Sequence, residues 1–296
     1  MNNKQLIDAF ITYLINERGL TNDTTASYSE DLKHINNYLK DQSFSALNQK
    51  DIELYLKYLN SNNLVSKSIA RHISCLRSFY KFLNRNNYLK NNPMDGIDSP
   101  KTVKKLPNLL SIEEINLLLD IKLITPNDYR NKAILELLYA TGIRISELVN
   151  LEFTNLDKGN ELLRVMGKGR KERIIPIGEF AMEAINNYLD NYRNCFVKKD
   201  TNNYLFLNYR GKLITRQGIF KIIKSECLKK GIKNTVSPHT LRHSFATHLL
   251  NNGADLRIIQ ELLGHDNITT TEIYTHLAQD ELKKDYDVFH PRSHID

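Results

Sequence analysis

Ser237-Pro238-His239-Thr240-Leu241-Arg242-His243-Ser244-Phe245-Ala246-Thr247-His248 is the stretch from which the organisation of this chain can be worked outward. Pro238 suits the first turn of a helix, where its missing N–H costs nothing. Leu241, Phe245 and Leu249 recur every four residues and predict a buried stripe. His239 and Arg242 are three apart, so they project from one face of that helix. A histidine and an arginine held side by side on a rigid element suit a phosphate, one as proton carrier and one as a fork of donors. His239, His243 and His248 also raise a metal site, since the first two are four apart. The zinc-protease pattern places Glu directly after the first His, however, and Thr240 stands there, so no metal is expected.

Upstream and downstream of this helix the period is mostly helical. Residues 4 to 18 carry Leu6, Ile7, Phe10, Ile11 and Leu14 at helical spacing, and Thr21 or Thr24 is placed to cap a second helix with Tyr28, Leu32, Ile35, Tyr38 and Leu39. A third helix is expected over 51–59 and a fourth from about Ser66, with Ile69, Ile73, Leu76, Tyr80 and Leu83 on one side and Arg71, Arg77, Lys81 and Arg85 on the others. Those basic residues could track a DNA backbone or simply form a solvated face. From Asn91 to Pro107 the period stops. Pro93, Gly96, Pro100 and Pro107 punctuate a run made basic by Lys101, Lys104 and Lys105, which reads as a linker.

The second domain opens with a capping box, Ser111 to Glu114, ahead of Ile115, Leu118 and Leu119. A helix over 128–139 ends near Gly142, and Arg144 opens the next, through Val149. Strands at 162–166 and 173–177 flank Gly167-Lys168-Gly169-Arg170-Lys171, a hairpin with a glycine-bracketed lysine near its tip. Helices are expected over 179–193 and 215–230, with a short strand at 204–207 between them. After the central stretch comes a helix over 255–263, ended by Gly264 with His265 directly after. Thr269 to Glu272 forms another capping box, placing Tyr274 in the early turns of a helix. The tail from Gln279 to Phe289 reads as a weak helix ending before Pro291.

The chain has 296 residues, 41% hydrophobic and 25% charged, enough for two domains with cores of their own. Its net charge of +7 favours a polyanionic partner without requiring one. Cys75, Cys195 and Cys227 follow no metal-ligand spacing and read as free thiols in a reducing compartment. No apolar run reaches the length of a membrane span, and the polar start has no signal-peptide core, so a cytoplasmic location is expected.

Arg144, Lys168, His239, Arg242, His265 and Tyr274 are the candidate functional residues. Taken singly, each has an ordinary alternative: a helix-start arginine, a hairpin-tip charge, a residue after a helix-ending glycine, one of 15 tyrosines. Together they carry a resemblance. Ala140-Thr141-Gly142-Ile143-Arg144-Ile145-Ser146-Glu147-Leu148 resembles the first box of the tyrosine recombinase (phage integrase) family. His239-Thr240-Leu241-Arg242-His243 resembles the H-x-x-R of its second box. Leu262-Leu263-Gly264-His265, with Tyr274 nine residues on, resembles the third, and Gly167-Lys168-Gly169 is similar to its β-hairpin lysine. The absence of an extra arm-binding domain and the phrases at 137–142 and 243–250 are most like the Xer branch of the family.

The resemblance implies a mainly α fold: a four-helix, SAM-like core-binding domain over 1–90, a linker over 91–107, and a catalytic domain over 108–296. The last of these is α-rich with a small antiparallel β-sheet, and its C-terminal tail contacts another protomer. It implies site-specific cutting and rejoining of double-stranded DNA through a 3′-phosphotyrosyl intermediate, with Tyr274 as nucleophile and Arg144, Lys168, His239, Arg242 and His265 serving the phosphate. It implies no cofactor, metal or ATP. The Xer resemblance adds a dif-like site, a homologous recombinase as partner in a tetramer, resolution of chromosome dimers, and control by the FtsK translocase. The same residues suit a type IB topoisomerase or a transposon or plasmid integrase. A DNA-binding regulator without chemistry leaves the boxed residues unexplained. Glu147 and Asp255 are candidates for holding the arginines or ending helices, not for catalysis.

Overall fold

The structure, a computed structural model, describes all residues except 21, 41, 90, 99–108, 168–171, 200, 202, 265–275 and 296, and only the backbone of 23 and 276–281. The expected linker lysines, the hairpin tip with Lys168, the capping box at 269–272, His265 and Tyr274 therefore lie outside the described residues. The chain divides into two compact units, Met1–Lys105 and Leu106–Asp296.

In the first unit, α1 (Asn3–Asn16), α2 (Asn22–Leu39), α3 (Gln49–Ser61) and α4 (Ser66–Arg85) enclose one core. Phe10 and Phe44 both meet Phe79 edge-on, at 5.3 and 5.1 Å between ring centres, the arrangement that brings a positive ring edge to a negative face. Two local expectations are refined. Of the two cap candidates for α2, Thr24 lies inside the helix, whose first residue is Asn22, and Thr21 lies outside the described residues. Helix α3 starts two residues ahead of Asp51, because Asn48 and Asp51 form a reciprocal capping box that uses Asp51 as its third residue. Met94 and Ile97, from the expected linker, are buried in this unit's core, so burial of apolar side chains continues past the loss of helical period. The outer face of α4 presents Lys67, Arg71, Ser74, Lys81 and Arg85, all exposed. Arg71 is held there by the buried Asp31 carboxylate at 3.0 Å and by the Ser27 carbonyl at 3.1 Å.

In the second unit, α5 (Ile112–Leu119) opens with the Ser111–Glu114 capping box. Helix α6 (Pro126–Thr141) follows, buried without a break from Ala133 to Thr141. A helix covered on every side loses its one-faced pattern, which is why its spacing is weak in the sequence. Helix α7 (Ile145–Val149) leads to an antiparallel sheet of β1 (Leu156–Asp157), β2 (Leu162–Met166) and β3 (Glu172–Pro176) in that order, with Leu163 opposite Ile175 and Val165 opposite Arg173. β1 has no signal of its own in the sequence, being two residues long. Helix α8 (Glu179–Asn187) ends sooner than the expected 193, passing into a π turn (Tyr188–Tyr192) and a 3-10 turn (Arg193–Phe196). The expected strand at 204–207 reduces to single bridges, Glu152 with Tyr204 and Leu207 with Leu213. Leu205, Phe206 and Leu207 are all buried, so this run is drawn into the core on both faces instead of extending a ladder.

Helices α9 (Arg216–Lys229), α10 (Pro238–Asn251), α11 (Leu256–Leu263) and α12 (His276–Phe289) complete the unit. The chain after Leu282 is seated on its own unit. The Tyr286 hydroxyl donates to the Ala140 carbonyl and accepts from the Gly178 N–H, and Arg292 forms a fork with the buried Glu136 carboxylate. Cys75 and Cys227 are buried and Cys195 exposed, all free. No helix among the described residues is long and apolar enough to cross a membrane.

Gly142 joins α6 to the loop before α7 with φ of 57°, and a Cβ there would sit 2.5 Å from the Phe245 ring. Both the left-handed backbone and the close ring demand glycine. Gly142→Ala is expected to lower unfolding stability by at least about 2 kcal/mol, read by urea denaturation.

Candidate active site

The site grows from an unsatisfied helix end. The last carbonyls of an α-helix have no partner within it and lie at the negative pole of its dipole. Helix α11 stops at Gly264, whose φ of 64° turns the chain away, and three arginines supply what the helix lacks. Arg173 donates from Nε to the Leu262 carbonyl at 3.0 Å, Arg242 from Nη2 to Leu263 at 2.7 Å, and Arg144 from Nη2 to Gly264 at 3.1 Å.

Each arginine comes from a different element. Arg242 lies on α10, fixed because Leu241 and Phe245 of that helix are fully buried. Its Nη1 also donates to the Gly142 carbonyl at 2.6 Å, tying α10 to the end of α6. Arg144 caps α7: its N–H bonds Glu147 Oε2 at 2.8 Å and its Nη1 bonds Oε1 at 3.1 Å. Arg173 on β3 grips the same carboxylate with both Nη groups, at 3.0 and 2.8 Å. Glu147 thus holds arginines, as one of the two readings of the sequence has it, whereas Asp255 caps the start of α11 instead of ending a helix. Arg173 carries no signal in the sequence beyond opening a strand.

Three guanidiniums around one carboxylate leave a cationic surplus. Burial pulls the Arg242 pKa down to about 10, helped by the charges of Arg144 and Arg173 and opposed by Glu147, and at neutral pH it remains charged. Burial pushes the Glu147 carboxyl up, but the hydrogen bonds and charge of Arg173, with those of Arg144, outweigh it and hold the group below its ordinary value. Arg144 is partly exposed, its side chain 37% accessible against 7% for Glu147 and Arg173. Arg144 and Arg242 keep N–H groups that no described residue takes up, and His239 is exposed on the first turn of α10.

Of the six sequence candidates, the structure brings Arg144 and Arg242 together on consecutive carbonyls and sets His239 one turn from Arg242. Lys168, His265 and Tyr274 lie outside the described residues. His248, raised as a metal ligand, has a structural place. Its Nε2 donates to the Leu110 carbonyl at 3.0 Å, which leaves Nδ1 to accept from the Tyr139 hydroxyl at 2.8 Å.

This fold agrees with what comparison with known proteins finds. The chain belongs to the phage integrase family: the family profile matches residues 108–281, and that of the phage integrase N-terminal SAM-like domain matches residues 7–87. Its sequence is XerD-like almost from end to end. It is 44% identical over 292 residues to the tyrosine recombinase XerD of Staphylococcus epidermidis, covering 97% of this chain and 99% of the relative, and 44% identical to that of Oceanobacillus iheyensis over 97% and 98%. Among solved structures, the Tn1549 transposon integrase in complex with circular intermediate DNA shares the fold, with a TM-score of 0.73 at 22% identity over 95% of this chain and 98% of that one. So does the XerH recombinase bound to a palindromic difH substrate, with a TM-score of 0.69 at 23% identity over 89% and 79%.

A carboxylate held low in the fold stabilises it above the ordinary glutamate value of 4.5, and that contribution disappears as pH falls through the depressed one. Glu147→Gln leaves Arg173 buried without its counter-charge. It is expected to cost about 3–5 kcal/mol at neutral pH, with the gap from the parent chain narrowing as pH falls below 4.5 and through the depressed value, as read by denaturant titration across pH.

Proposed function

We propose that this chain is a site-specific recombinase that cuts and rejoins double-stranded DNA through a 3′-phosphotyrosyl intermediate. The observation that carries the reading is the pair of Arg144 and Arg242 on consecutive carbonyls, with N–H groups that no described residue takes up and, among the described residues, a local surplus of positive charge. Such a pair is built to receive an anion with several oxygens. Two guanidinium forks bind the non-bridging oxygens of a phosphodiester and neutralise charge that builds in the transition state.

In this reading the Tyr274 hydroxyl attacks phosphorus, the bond to the 5′ oxygen breaks, and the 3′ end of the strand becomes a phosphotyrosine. A phenol of pKa about 10 is ionised only about one part in a thousand at pH 7, a penalty of about 4 kcal/mol. His239 accepts its proton while the arginines favour the anion. Lys168 protonates the leaving 5′ oxygen, and His265 adds a third donor to the phosphate. Because the bond energy is kept in the phosphotyrosine, rejoining requires neither ATP nor a metal. Lys67, Arg71, Lys81 and Arg85 on the outer face of α4 supply phosphate contacts that hold the duplex without reading its sequence.

The similarity to XerD proteins supports a narrower role in the cytoplasm: pairing with an XerC-like recombinase in a tetramer on a dif-like site, and resolution of chromosome dimers under control of the FtsK translocase. Incubating a labelled dif-like duplex with the chain, with and without an XerC-like partner, tests this reading. Covalent trapping and exchange of strands between two duplexes support it, whereas relaxation of supercoils without exchange favours a topoisomerase.

Tyr274→Phe is expected to bind duplex as the parent chain does and to form no covalent adduct on a nicked suicide duplex; an adduct that survives the change identifies a different nucleophile. Arg144→Lys is expected to reduce adduct formation about a hundredfold or more while duplex affinity changes little, because a point charge cannot replace a two-pronged fork. Gel shift and denaturing gels on the same samples separate the two effects.

A further inference from the structure

Arg173 is the buried member of the arginine cluster, Arg144 and Arg242 being half-buried. Its Nε, Nη1 and Nη2 are all engaged, on the Leu262 carbonyl and the two Glu147 oxygens, and its side chain is only 7% exposed. A Cβ on Gly264 would lie 3.1 Å from its Cδ and Nη1, so the guanidinium is closely walled on the side where α11 ends. The ion pair it makes with Glu147 is almost fully buried. Two apolar side chains of similar volume would hold such a place as well or better, so stability alone does not account for the pair. What an apolar pair could not do is fix the Glu147 carboxylate, and among the described residues Glu147 and the Gly264 carbonyl are the groups that orient Arg144.

We propose that Arg173 is a positioning residue for DNA cleavage: it locks Glu147 and the end of α11, and through them sets the guanidinium of Arg144 against the scissile phosphate. This rests on the recombinase reading above and deepens it. Without Arg173, Glu147 has Arg144 as its remaining direct partner among the described residues and draws that guanidinium inward, away from an incoming anion. The fork also reaches across three elements at once, from β3 to the first turn of α7 and the last of α11. The strand that carries it directly follows the glycine-bracketed Lys168 segment in the chain. One side chain thereby couples the return strand of that hairpin to the phosphate-facing arginine.

The test uses the full chain and the nicked dif-like duplex that traps the parent protein. Duplex affinity, melting temperature and the rate of adduct formation across pH are measured for Arg173→Met, for Arg173→Lys, and for Arg173→Met combined with Glu147→Gln. Arg173→Met is expected to form adduct about a hundredfold more slowly with affinity within about threefold of the parent. Its rate is expected to fall more steeply below neutral pH. The Glu147 carboxyl, faced by Arg144 from its own helix, Arg173 from β3 and Arg242 from α10, loses the fork that keeps it ionised. Adding Glu147→Gln removes the extra pH dependence without restoring the rate. Arg173→Lys retains the charge without the fork, serves where the methionine variant does not fold, and is expected to fall between the two. Affinity and rate declining together, or an Arg173→Met pH profile that superimposes on the parent's, overturns the assignment while leaving the recombinase reading in place. A parent chain that traps no duplex overturns both.

Discussion

The end of α11 is the constraint on which the site depends. Three consecutive carbonyls, those of Leu262, Leu263 and Gly264, face out of a finished helix with no partner in it, and three arginines from β3, α10 and α7 close on them. Each bond is charge-assisted, and each costs the helix nothing, since those carbonyls have no partner within the helix. Like charges that would repel one another in isolation are thus gathered at a negative dipole end, with Glu147 between two of them. Among the described residues the cluster keeps a positive surplus.

The rest of the second unit can be read as support for this junction. The buried length of α6 brings Gly142 to where its carbonyl accepts from Arg242 while Phe245 closes over its α-carbon. From the other side, the Tyr286 hydroxyl bonds the Ala140 carbonyl, so the C-terminal segment braces the same end of α6. His248 and Tyr139 link α10 to α6 one turn further back. A displacement in any of these elements is passed to an arginine through a bonded neighbour, because close-packed interiors transmit strain.

The two units do different work with positive charge. On α4 it is spread along an exposed face, where water and salt screen each lysine or arginine. At the end of α11 it is concentrated and partly buried, where fewer water molecules compete and each N–H is worth more. The first arrangement suits holding a long polyanion and the second suits stabilising charge at one phosphorus atom. That division fits a member of the phage integrase family with both its N-terminal SAM-like and its integrase regions present.

The sequence by itself determines the helical character, the two-part organisation and the boxes that hold Arg144, His239 and Arg242, because apolar period, caps and glycines are local signals. It misplaces or shortens elements where a distant partner decides the outcome. The run at 204–207 reads as a strand but enters the core, α8 gives way to a π turn at Tyr188, and Met94 and Ile97 pack where the period has already stopped. Arg173 is invisible in the sequence for the same reason. Its partners are Glu147, 26 residues away, and Leu262, 89 residues away. Tertiary structure alone decides that the end of one helix, the start of another and the edge of a sheet meet around a single carboxylate, since no periodicity encodes a contact made by bringing remote backbone ends together.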